Sequence, residues 1–372
     1  MAIEKVNGIE NASLPEGVQV SVTETEITPG VTELEDGSAI IGEMQEELEA
    51  SMPVPFNANL AEFIDDSELG VISSDIVGNI DEDISSRKDW EDQYKGGLEL
   101  LGMNYEDRAE PFEGASGVVH PLLAESVTQF QAQAYREMLP ASGPVRTHIV
   151  GAENPELLAQ AERVKNYMNY QITYEMEEYD PELDQMLFYL PIVGSAFKKI
   201  YFDPSMQRAV SKFVHAEDLI VPYNATDLRT STRIAHVVRM DRNEIRKLQL
   251  QGFYKDIDLP SSDSGGSNYD EVKETIDDIQ GIDKGSSYNE EITLYEVHTD
   301  LDLIGFEDIG QDGEPTGLKM PYVVTIVEKS GEILSIKRNF NEGDPFRRKI
   351  PYFVHYKFLP GLGFYGFGLT HM

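Results

Sequence analysis

Apolar residues recur at helical spacing through the first half of the chain and at alternating spacing through the second. Trp90, Tyr94, Leu98 and Leu101 form the first clear stripe, with Trp90 read as a core anchor. Ahead of them, Ser86 and Asp89 have the hydroxyl-and-carboxylate spacing of a capping box, and ordered structure is expected from about Leu60 onward. A Gly-rich turn at 114–117 leads into a second helix. Pro121 suits its first turn, Val127, Phe130, Ala134 and Met138 form its apolar stripe, and Pro140 with the Ser-Gly-Pro at 142–144 ends it. A third helix is predicted from Asn154-Pro155 and a fourth from Asp180-Pro181, each a capping residue followed by proline. The third carries Leu158, Ala161, Val164, Met168 and Ile172, with Tyr167, Tyr170 and Tyr174 alongside; such a stripe is expected to be packing.

After Pro191 the period changes. Segments 196–202, 207–214, 219–222 and 231–239 alternate as short strands do. Asp241 with Glu244 caps a short helix that Gly252 closes. Further strands are predicted at 291–299, at 321–329 and 332–340 about the Lys329-Ser330-Gly331 turn, and at 350–358. Helices first and sheets afterwards make an α+β fold. The predicted divisions are an acidic, disordered tail over 1–59, helices then short strands over 60–259, a linker with a brief acidic helix over 260–280, and a β-rich region over 281–359. No internal repeat is found.

Charge sharpens the first boundary. Residues 1–75 hold 17 acidic residues and one basic residue, Lys5, a density that favours disorder over a packed core. The whole chain of 372 residues carries a formal charge of −37. Tight binding of nucleic acid needs Lys and Arg against phosphates, so this surplus works against it, although a local basic patch is compatible with it. The absence of cysteine excludes disulfides, thiolate metal sites and a cysteine nucleophile, and fits assembly in a reducing cytosol. No run approaches the ~18 apolar residues of a membrane span, and the N-terminal segment lacks the marks of a signal peptide.

Motifs for chemistry are tested and fail. Gly361, Gly363 and Gly366 fit G-x-G-x-x-G, but no βαβ unit precedes them and aromatic residues stand where backbone should meet pyrophosphate. Asn79, Asp81 and Asp83 begin like a calcium loop, yet Ile84 and Trp90 occupy the positions for glycine and glutamate. A second trial, from Asp308, keeps Gly313 but puts Lys319 at the closing position. The seven histidines form no helical zinc pair. No catalytic residue, metal ligand or cofactor is assigned, and the chain is not read as an enzyme.

One stretch departs from the acidic background. Arg229, Arg233, Arg239, Arg242, Arg246 and Lys247 stand among only two acids, with Arg242 and Arg246 on one helix face. The readings are a solvated face, a charged contact between subunits and direct phosphate contact. These six are the candidate subunit-interface residues. Arg347, Arg348 and Lys349 form a second, shorter cluster open to the same readings.

Four segments, 89–102, 111–147, 180–204 and 359–372, together resemble the portal, or head-to-tail connector, proteins of tailed double-stranded DNA bacteriophages, in particular the long portals of short-tailed phages. The likeness spans about 60–372, and 111–147 is its most distinctive block. It implies a dodecameric ring at one capsid vertex, a conduit through which DNA is packaged and ejected. The implied partners are a terminase motor, capsid and scaffold proteins, tail adaptors and sliding DNA held without sequence preference, with no membrane. The implied location is the virion, after assembly in the host cytoplasm. Residues 60–259 would be wing and 281–359 wing or clip. Residues 360–372 would open a stem helix continuing past Met372, with Thr370 as its N-cap. The competing readings are an acidic scaffold or DNA-mimic protein, and a carboxylate or metal-dependent hydrolase.

Overall fold

The computed structural model describes residues 31–33, 39–41, 54–99, 101, 112, 120–152, 154–204, 206–259, 291–310 and 314–372. The chain divides into two units, Met1–Pro55 and Phe56–Met372. In the first, β1 (Val31–Glu33) and β2 (Ala39–Ile41) pair antiparallel with Val31 opposite Ile41. The predicted disordered tail over 1–59 is thus interrupted by a small hairpin and ends early, since residues 54–59 are described and Asn59 is buried within the second unit; the remainder of that prediction lies outside the described residues. So do the predicted linker and acidic helix, apart from their approach at 251–259.

The second unit opens on a 3₁₀ turn, Leu60–Glu62, capped by Asn59, whose side chain accepts from Ala61 N–H. The same amide donates to Leu334 O at 2.9 Å and accepts from Ile336 N–H at 2.9 Å, fastening the start of the unit to a distant strand. Helix α1 (Asp66–Ser86) follows, and the hydrophobic pattern did not predict it. Its inward positions are Leu69, Ser73, Ile76, Ile80 and Asp83, a helical series in which two members are polar. The capping box at Ser86 is not formed. Ser86 is the last residue of α1, and its hydroxyl donates back to Asp83 O at 2.7 Å. Arg87 separates α1 from α2 (Lys88–Glu99), whose Trp90, Tyr94 and Leu98 are buried as expected, with Leu101 just beyond.

Helix α3 (Leu122–Met138) starts after Pro121, which occupies the cap rather than the first turn. It packs Phe130, Ala134 and Tyr135 against Leu183, Met186, Leu187 and Leu190 of α5 (Tyr179–Val193). Helix α4 (Pro155–Tyr170) begins as predicted, with Asn154 accepting from Leu157 N–H at 2.7 Å and proline at the first position. Helix α5 begins at Tyr179, ahead of the predicted Asp180-Pro181, and ends at Gly194. There φ is +88°, and a Cβ would collide with the backbone of Phe367 and Gly368.

All the predicted strands form. The strands β3 (Ser195–Asp203), β4 (Arg208–Val214) and β10 (Phe353–Lys357) make an antiparallel sheet in the order β10-β3-β4. The others make a second antiparallel sheet in the order β5-β6-β7-β8-β9: β5 (Leu219–Ile220), β6 (Arg233–Asp241), β7 (Glu291–Leu301), β8 (Met320–Val327) and β9 (Ile333–Arg338). Helix α6 (Arg242–Leu250) is capped by the Asp241 side chain and buries Ile245 against Tyr254, Ile292, Leu294 and Val327. The architecture is α+β, as expected.

The closing segment folds back onto the helices. Leu359 and Phe367 form a bridge, Phe364 and Tyr365 are fully buried, and Trp90 stacks on Tyr365 with ring centroids 4.6 Å apart. Trp90 also donates from Nε1 to Gly366 O at 3.1 Å. Residues Leu369–His371 make one 3₁₀ turn whose cap position is Gly368, not Thr370. The Thr370 hydroxyl instead donates to Ile192 O at 2.8 Å. The glycines that mimic a dinucleotide fingerprint belong to this packed return: a Cβ on Gly363 would strike Tyr223, and one on Gly366 the carbonyl of Gly194.

Candidate functional site

The basic stretch is not one basic face. Arg233 reaches Asp83 through Nε at 2.5 Å and Nη2 at 2.8 Å, and Arg239 meets Asp218 at 3.1 Å. Arg246 pairs closely with Asp256 and donates to Gln249 Oε1 at 3.1 Å, while Arg242 donates to Leu259 O at 3.2 Å. Arg242 and Arg246 do share a cavity of about 840 Å³, but Asp241, Asp256 and Asp258 line it with them. Arg229 and Lys247 are exposed, on a loop and on α6 respectively. Three of the six bases are therefore paired with acids within the chain, Arg233 with one 150 residues away and Arg239 and Arg246 with acids 21 and 10 residues away. In the second cluster Arg347 pairs closely with Asp308 and Arg348 with Asp344 at 3.0 Å.

A half-buried ionic centre joins the two sheets, and the sequence reading did not find it. Lys199 of β3 donates to both oxygens of Glu296 of β7 at 2.7 Å, and His298 Nε2 lies 2.9 Å from Glu296 Oε1. Burial alone would raise the Glu296 pKa, but Lys199 and the His298 hydrogen bond hold it far below the usual carboxylate range. Burial pushes His236 down to about 3, with the nearby Lys199 charge acting in the same direction. The signal available in the sequence was parity: Glu296 and His298 alternate with Ile292 and Leu294 on one inward face, where a charge needs a partner. The centre is half-buried and its lysine and His298 are both paired through Glu296, which suits a tie between sheets.

Ser195 and His355 also meet, with Oγ 3.1 Å from Nε2, yet Ser195 is fully buried and its oxygen accepts Gly366 N–H at 2.7 Å. That geometry gives no approach to a nucleophile. Among the described residues, no group of three or more His, Asp or Glu is placed to hold a metal ion, and no helix is long and apolar enough to cross a membrane.

The largest departure from expectation is α4. Its aromatic stripe was read as packing, but among the described residues none in this helix is buried. Leu158 is 49% exposed, Val164 44%, Met168 42% and Tyr167 58%. Tyr170 and Tyr174 stack on each other with centroids 5.7 Å apart, and Tyr174, in the π-helical turn Gln171–Glu175, is 74% exposed. The anchor at its C-terminal end is Asn169, which accepts from Val145 N–H at 2.9 Å and donates to Val145 O at 3.2 Å. Periodicity found the apolar and aromatic face, but the packing expected for it is not made by the described residues.

No model of a known protein family matches the chain, and no curated protein is detectably similar to it.

Proposed function

We propose that this chain is a subunit of a phage portal ring, a passive conduit for DNA packaging and ejection and a platform for joining head to tail. The observation that carries the reading is helix α4, 16 residues long with an apolar and tyrosine-rich face in water. Helices near ~12–15 residues are marginal alone and owe their stability to packing, so such a face is built for a neighbour. In a ring each subunit offers two different surfaces to the next, and α4 supplies one of them. The likeness of 89–102, 111–147, 180–204 and 359–372 to portal sequences supports the same reading.

The charge is compatible with transit. With −37 per chain and most arginines of the basic stretch already paired internally, little would grip phosphate as the duplex slides. In this reading the chain has no catalytic centre; a separate terminase supplies the work, and scaffold, capsid and tail adaptor proteins meet the outer surfaces. Arg229 and Lys247, exposed and outside the ion pairs described above, are the better contacts for an acidic neighbour; Arg233, Arg239 and Arg242 are held within the subunit, and Arg246, though exposed, is paired with Asp256.

Negative-stain imaging and mass photometry of the purified full chain test the proposal. Closed rings are expected. Single particles at all concentrations, or retention on a DNA column that weakens steeply with salt, would overturn it.

A further inference from the structure

Strand β10 is an outer strand of its sheet. Its ladder with β3 includes Ile200 N–H to Tyr352 O at 2.8 Å and Phe358 N–H to Gly194 O at 3.0 Å. Antiparallel alternation then turns the N–H and C=O groups of Phe353, His355 and Lys357 away from β3, along an edge that is free among the described residues. A cavity of about 990 Å³ is lined by this edge and by the loop at 226–229. That volume is in the range of ligand sites.

The lining is cationic in an acidic protein. Arg229, Lys349 and Lys357 contribute positive charge, against one carboxylate, Asp227. Asp227 is already engaged: its Oδ1 accepts the N–H and hydroxyl of Thr230 at 2.7 and 2.8 Å. The Lys349 ammonium is buried and has no hydrogen-bond partner among the described residues. Burial lowers its proton affinity, and the charge of Asp300 only partly offsets this. An unpaired buried ammonium is costly, and a carboxylate brought to it would remove that cost.

We propose that the free edge of β10 binds an acidic peptide in extended form, adding it to the sheet as an outer strand with its carboxylates set on Lys349, Arg229 and Lys357. The row of alternating donors and acceptors selects a peptide backbone over a nucleic acid, because a phosphodiester chain offers no N–H to the strand carbonyls. A short peptide also meets far less repulsion from the chain's overall negative charge than a polyanion does. The inference is independent of the ring reading, since it concerns an edge within one subunit.

The test is fluorescence anisotropy of a labelled peptide of about seven residues alternating Glu and Val, a typical strand length, titrated with the full chain. Saturable binding is expected, about tenfold or more weaker for Lys349→Met and for a peptide with Gln in place of Glu. Binding should vanish when alternate peptide amides are N-methylated. Lys349→Met should melt at or above the parent temperature, since it deletes an unpaired charge, so lost binding will not be lost folding. If that variant does not fold, the N-methylated peptide on the parent chain decides the matter. No binding, equal binding of the neutral or N-methylated peptide, or full displacement by inorganic phosphate at the same affinity in both peptides would overturn the proposal.

Discussion

Asp83, near the end of α1, and Arg233, the first residue of β6, are joined across 150 residues of sequence by hydrogen bonds of 2.5 and 2.8 Å. Burial raises the Asp83 pKa even against the pull of Arg233, so the pair is held at some desolvation cost. Asp83→Leu, which strands the guanidinium, is expected to destabilise by about 2–3 kcal/mol, whereas the double change Asp83→Leu with Arg233→Leu should cost less than either single one. Urea unfolding of the four proteins in the cycle measures this.

The half-buried histidines of the two sheets set an acid limit. His236 titrates near 3 when folded against 6.5 as a free side chain, so between these values the unfolded chain binds the extra proton. Stability is therefore present above the ordinary histidine range and is lost as pH falls toward 3, with a slope of up to about 1.4 kcal/mol per pH unit from this group. His355, also pushed down to about 3 by burial, acts in the same sense. His236→Gln should flatten the pH dependence between 6 and 4, roughly by that one-proton slope, as read by denaturation at a series of pH values.

The single tryptophan of the sequence, Trp90, sits beneath the returning segment, stacked on Tyr365 and bonded to Gly366 O. Its emission should be blue-shifted. Gly194→Ala introduces a Cβ into the Phe367–Gly368 backbone at a positive φ, so a loss of about 2 kcal/mol or more is expected, together with a red shift as the segment lifts. An unshifted spectrum with unchanged stability would contradict the packing described.

Helix α4 and the basic stretch separate by opposite responses. Tyr167→Ser with Tyr174→Ser should weaken self-association about tenfold or more while leaving the melting temperature of the subunit nearly unchanged, since both rings are exposed. Arg242→Glu with Arg246→Glu should instead lower the melting temperature, because like charges then face Asp256 and Asp258 within the subunit. Sedimentation velocity and calorimetry on the same samples distinguish the two effects.

The strands were legible because their alternation is regular and their turns carry glycine or asparagine at the needed places, as at Gly331 with φ +69°. Helix α1 was not, because Ser73 and Asp83 occupy inward positions and their partners, Gly331 O and Arg233, lie 258 and 150 residues away. A moving window sees polar residues there and no stripe. The same blindness made the Arg229–Lys247 stretch look like a surplus of positive charge: the acids that neutralise it, Asp83, Asp218 and Asp256, mostly lie outside any such window. For α4 the period was visible, but burial is a property of what stands opposite, and among the described residues nothing buries Tyr167.

The hydroxyl of Thr370 on Ile192 O and the rings of His371 and Trp90, 5.8 Å apart and nearly parallel, couple the last turn to two helices at once. A tug on that turn would not peel away a loose end. It would be passed to α2 and α5 and, through the close approach of Phe367 and Gly368 to Gly194, to the root of β3, so that a load applied at one point is shared by the centre of the unit.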